Sequence, residues 1–165
     1  MMICLFAVGS AAMAQSKSAD EFHNKYQGDR DATVVKLNGS IFNLVANIAA
    51  EADEADEDAQ ALARIAKEIN SIKILSVPVY KSGLEPDDIK QLRNDLISEK
   101  YDELMTVRDG SDRIYFLAQG DEKEVRNMYV LIQEDREFTM LSIDGRLKMA
   151  DLSYLANHHK DINID

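Results

Sequence analysis

The sequence predicts an α+β fold, with a mixed, mainly antiparallel sheet, helices packed on one face, and the order β-α-α-β-α-β-β-β-β-α. Three observations carry this expectation. Two short β-branched runs, Thr33 to Leu37 and Ser71 to Val77, enclose apolar residues recurring at helical spacing. Another such stripe follows at Ile89, Leu92 and Leu96. From Leu104 onward, four strand-like runs succeed one another across short turns, the pattern of an antiparallel meander.

Taken in order, residues 15–31 are polar, and Phe22 and Tyr26 at helical spacing predict a short helix from Asp20 to Tyr26. A turn at Gln27-Gly28-Asp29 leads into the first strand. Asn38-Gly39 ends that strand and leaves Ser40 to cap the next helix. Ile41, Leu44, Val45 and Ile48 fall at i, i+3, i+4 and i+7, and Leu62, Ile65, Ala66 and Ile69 repeat the pattern. Between them, Glu51 to Asp58 holds six acids in eight residues. Like charges weaken a helix interior, whereas a helix N-terminus favours them. A break near Asp56 with two packed helices is therefore expected; one long helix is the alternative.

Pro78 and Lys81-Ser82-Gly83 close the second strand, and Pro86 with Asp87 and Asp88 suits a first helical turn. That helix is expected to end near Lys100. The meander comprises Leu104–Arg108, Arg113–Gln119, Arg126–Gln133 and Glu137–Ile143, divided at Asp109-Gly110, Gly120-Asp121 and Glu134-Asp135. A last helix from Met149 to His158 would bury Leu152, Leu155 and Ala156. Residues 32–160 thus read as one α+β domain, with a tail at 161–165.

Residues 1–14 read as a signal peptide. Met1 to Ala14 is uncharged, with an apolar core at Ile3 to Val8 and small residues ending Ala12-Met13-Ala14, which signal peptidase accepts. The usual opening Lys or Arg is missing, which an upstream start codon explains; a buried N-terminal element is the competing reading. The stretch is too short to span a bilayer. Cys4 is the only cysteine, so a mature chain would have no disulfide or thiolate site, and Met1-Met2-Ile3 does not supply a lipobox. The expected location is the periplasm or outer envelope, without a lipid anchor or transmembrane segment. The remaining 151 residues keep the net charge of −11, which repels nucleic acid and anionic lipid.

Candidate chemistry is sparse. The acidic run could offer carboxylates to calcium but has no glycine for the sharp loop turn, so a solvated charge run explains it better. His158-His159 with Asp161 shows no third ligand for a transition metal, and His23 has no visible partner. Ser40 is better a cap than a nucleophile, and no glycine motif for a serine hydrolase or a phosphate loop is present. No catalytic, metal or cofactor residue is assigned, and no enzyme is expected.

One physical signal stands out. In Ile114 to Ala118 and in Met128 to Ile132 both alternating sets are apolar, although a sheet covered on one side should show a polar second face. Tyr115, Leu117, Tyr129 and Leu131 are accordingly the candidate apolar contact face, for another envelope protein, a second copy, or a small apolar ligand. Central strands covered on both faces are the alternative.

Several segments together resemble the family of small exported bacterial proteins known as domain of unknown function 4252. They are Ser40-Ile41-Phe42-Asn43-Leu44, Ile69 to Leu75, Tyr101 to Val107, Met128 to Ile132, and Phe138 to Gly145. The resemblance implies a shared fold and an envelope location, and no particular chemistry. Many such proteins look like lipoproteins, a feature this sequence lacks. Association of some with extracytoplasmic sigma factor systems implies a part in envelope stress signalling. The expected role is a non-enzymatic interaction or regulatory module. A binder of an apolar ligand or lipid comes second, with a cavity lined by Phe116, Leu117 and Met128, and a hydrolase third.

Overall fold

The computed structural model describes residues 16–50 and 57–158. Helix α1 (Lys17–Tyr26) precedes strand β1 (Thr33–Asn38), which leads into α2 (Gly39–Ala50) and α3 (Glu57–Lys67). Strand β2 (Ile69–Pro78) and helix α4 (Pro86–Ser98) follow, then β3 (Asp102–Asp109), β4 (Asp112–Gly120), β5 (Glu124–Gln133) and β6 (Glu137–Lys148). Helix α5 (Met149–His158) is the last described element, and the expected order of elements is the observed one.

The six strands of the described residues join one sheet in the order β1-β2-β6-β5-β4-β3, and every neighbouring pair is antiparallel. The meander from β3 to β6 supplies four strands, and β6 returns to pair with β2. Strands β1 and β3 are the edges.

The main core lies between the sheet and helices α1 and α4. Leu75, Val77, Leu117, Tyr129, Leu131, Phe138 and Met140 come from the strands. Ala19, Phe22 and Tyr26 of α1 meet them together with Ile89, Leu92 and Leu96 of α4. Burying each large side chain contributes about 1.5–3 kcal/mol. Phe22 meets Phe138 edge-on at 5.4 Å, and Tyr101 meets Tyr129 at 5.1 Å.

The sequence led to the expectation of helices on one face of the sheet, and the structure corrects it: they lie on both. On the opposite face, Ile65 of α3 with Met149 and Leu152 of α5 pack against Ala118, Val125 and Leu147. The cause is the doubly apolar character of β4 and β5: each face has side chains to bury. This second layer covers only one end of its face, so Val35, Met105 and Val107 remain exposed.

Helices α2 and α3 pack side by side through Ala46, Ala63 and Ala66, with Phe42 against them. A single helix would hold Ala46 and Ala63 about 25 Å apart, so the chain reverses between these helices. The acidic segment 51–56 lies outside the described residues. The cap of α2 is also corrected: the Asn38 side-chain oxygen accepts from the Ser40 N–H at 3.2 Å, so Asn38 rather than Ser40 supplies it.

Two glycines are required by close approach. At Gly145 a Cβ would stand 2.5 Å from the Glu68 carbonyl oxygen, where the α3–β2 junction crosses β6. At Gly120 φ is +153°, and a Cβ would stand 2.1 Å from the Glu124 carbonyl oxygen across the β4–β5 turn.

Candidate functional site

The expected contact face is not a surface. Leu117 and Leu131 are 0% exposed and Tyr129 is 4% exposed beneath α1 and α4. Tyr115 is half-buried against the same cluster, with the Arg93 guanidinium 4.9 Å from its ring centre. The four residues share one strand parity, and the apolar stripes of α1 and α4 dock onto that parity. Phe116, Leu117 and Met128 cannot line one cavity either. Leu117 joins the core under α1 and α4, whereas Met128 packs on the opposite face.

What the fold leaves open is helix α2. Ile41, Leu44, Val45 and Ile48 are 45%, 57%, 50% and 62% exposed, and Leu62 of α3 is 50% exposed. The stripe that reads as core in the sequence therefore faces outward. The small side of α2, through Ala46, is what packs on the alanines of α3. Short side chains permit that close approach, with Phe42 tucked beside them, and Ile41, Leu44, Val45 and Ile48 are left in solvent. No residue of α2 carries a charge, so solvation of this stripe is poor.

A second feature is an open groove of about 390 Å³ at the covered end of the sheet. Leu104, Ala118, Val125 and Met149 give it an apolar floor, and Asp102, Asp121 and Glu122 are its charged residues. The Asp121 carboxylate accepts from the Lys123 and Glu124 N–H groups at 2.8 and 3.1 Å. Those turn hydrogen bonds hold it below the usual carboxylate range.

A third, polar groove of about 420 Å³ runs along α4, lined by Arg93, Glu103, Thr106, Arg108 and Tyr115. Arg93 Nε donates to Glu103 Oε2 at 2.6 Å, and Thr106 Oγ1 donates to Glu103 Oε1 at 2.6 Å. Burial opposes ionisation of Glu103, but these bonds outweigh it and its carboxyl titrates below the ordinary range. Both carboxylate oxygens are thus engaged, Oε2 clamping β3 to α4 through Arg93 and Oε1 bonded within β3 to Thr106, an arrangement suited to structure rather than to proton transfer.

Among the described residues, no group of three His, Cys, Asp or Glu could hold a metal ion. His159 and Asp161 lie outside those residues. His23 is buried on α1, and its Nε2 has no hydrogen-bond partner among the described residues. Among them too, no helix is long and apolar enough to cross a membrane.

The fold and its surfaces define a small α+β domain whose prominent feature is an apolar helix stripe left exposed among the described residues. The chain belongs to the family described as Domain of unknown function (DUF4252), whose model matches residues 26–155. The match begins at the last residue of α1, although that helix is integral to the core. No curated protein and no solved structure matches the chain.

Proposed function

We propose that this protein is a non-enzymatic interaction module of the bacterial cell envelope, acting in regulation, with envelope stress signalling as the setting that the family resemblance implies. Residues 1–14 support export, through their apolar core and Ala-Met-Ala ending. The single observation that carries the interaction reading is the exposure of Ile41, Leu44, Val45 and Ile48 along one side of uncharged α2. An amphipathic helix offering anchors at i, i+3, i+4 and i+7 is a recurrent way for one protein to dock on another. The partner on this reading is another envelope protein.

Cross-linking of the protein in intact envelopes, followed by mass spectrometry, tests the reading. A defined protein adduct is expected for the native chain and not for a variant carrying Leu44→Glu and Ile48→Glu. Identical adducts from both, or only lipid on the native chain, would sink it. N-terminal sequencing of the same material should begin after Ala14; a retained Met1 would remove the envelope assignment.

A further inference from the structure

We propose that the β3 edge and its adjoining groove receive an extended, lysine- or arginine-bearing segment of a partner protein. Its backbone would pair with β3 as an added strand, and one of its apolar side chains would enter the groove beside Leu104. This surface is separate from α2 and does not rest on it.

The first observation is the edge itself. Among the described residues the sheet ends at β3, and the outer side of that strand has no strand neighbour there. Backbone N–H and C=O groups along a free edge are a template for another strand. Edges are ordinarily blunted, and β3 is blunted at its start, where the register with β4 shifts between Glu103 and Met105, and by charged Arg108 and Asp109 at its end. Beyond the shift, Met105, Thr106 and Val107 run in regular register opposite Phe116, Tyr115 and Ile114. Leu104, Met105 and Val107 are 55%, 48% and 39% exposed, an apolar row on an open edge.

The second observation is the sign of the charge. Leu104 belongs both to the edge and to the groove, which continues over Ala118, Val125 and Met149. Asp102, Asp121 and Glu122 line it and, among the described residues, no basic residue does, in a chain of net charge −11. A cationic segment would be drawn in at long range and oriented on arrival. A second copy fits badly. Antiparallel pairing of two β3 strands about Thr106 would bring Glu103 of one copy beside Asp109 of the other, and like charges opposite each other destabilise a strand pair. Anionic lipid would be repelled by the same rim. An uncharged apolar ligand would fill the groove but leave the edge and the acids unused.

The test titrates a short blocked peptide alternating valine and lysine, and its valine–glutamate counterpart, into the isotope-labelled full mature chain, read by amide and methyl NMR shifts. The lysine peptide should perturb the amides of Met105 to Val107 and the methyls of Leu104 and Met149. Its affinity should exceed that of the glutamate peptide by about tenfold or more. Asp102→Lys with Glu122→Lys should remove that advantage, and Glu122→Gln, on an exposed turn, should reduce it in part with the fold intact. Leu44→Glu should leave binding unchanged, which separates this surface from α2. Equal binding of the two peptides would overturn the proposal, as would no binding or shifts that spare β3. So would concentration-dependent β3 shifts without peptide, which would mark a second copy as the occupant.

Discussion

The Ser18 hydroxyl donates to the Glu99 carboxylate at 2.6 Å, tying the start of α1 to the end of α4 across 81 residues of chain. The Ser18 N–H reaches the same oxygen at 3.0 Å. Beside it, the Ser16 side chain accepts from the Ala19 N–H at 3.0 Å, and the Ser16 N–H donates to the Tyr129 hydroxyl at 3.3 Å. A helix that would be polar and marginal alone is thereby pinned at its N-terminus while Phe22 and Tyr26 enter the core.

Removing that pin should loosen α1. Glu99→Ala is expected to cost about 1–3 kcal/mol, since it strips a charged acceptor from two donors. Burial opposes ionisation of Glu99, but hydrogen bonds from Ser16 and Ser18 outweigh it and hold the carboxyl below 4.5. A folded pKa below the unfolded one gives stability that is present above the unfolded value and lost as pH falls through the folded one. Urea unfolding between neutral and acid pH should show a steeper acid loss in the native chain than in the variant. Parallel curves would remove Glu99 from the account.

His23 should set a second pH limb at higher values. Burial lowers its pKa from 6.5, with Lys36 and Lys73 adding to that and Asp20 opposing it. Below about 6.5 the unfolded chain takes up a proton that the folded chain resists. Stability should therefore fall as pH drops from 6.5 towards the folded value. His23→Leu should flatten this limb in a stability–pH profile; an unchanged slope would show that the imidazole is not the group responsible.

The exposure of α2 predicts an asymmetry between two leucines. Leu44→Glu should change unfolding free energy by no more than about 0.5 kcal/mol, as surface substitutions do. Leu131→Ala, in the core, should cost about 2–5 kcal/mol. Chemical denaturation of both variants decides it, and a large loss from Leu44→Glu would mean that α2 is covered.

Gly120→Ala should destabilise the chain by about 1–3 kcal/mol, because φ there is +153° and the new methyl would meet the Glu124 carbonyl oxygen. A thermal midpoint equal to that of the native chain would show that the β4–β5 turn can relax.

Much of the fold was legible in local pattern. The β-branched run at Thr33 to Leu37, the Pro86-Asp87-Asp88 helix start and the turns of the meander each announce one element, and α5 occupies the expected Met149–His158. The site was not legible. The period of Ile41, Leu44, Val45 and Ile48 marks a helix correctly, but a period cannot say whether its stripe meets another layer. The signal that could have found it was the small opposite side around Ala46, which suits close packing on the alanines of α3. Tyr115, Leu117, Tyr129 and Leu131 failed as a surface for the converse reason. Two apolar parities show that both faces need cover, not which face receives it.

Sequence alone determined the α+β class, the order of elements and the antiparallel meander, because hydrophobic period and turn chemistry act over a few residues. Only tertiary structure decided that α1 and α4 take the Leu117 and Leu131 side, that α3 and α5 cover one end of the other, and that α2 keeps Ile41, Leu44, Val45 and Ile48 in solvent. Those outcomes depend on which layers compete for a given apolar face, a choice made between segments far apart in the chain.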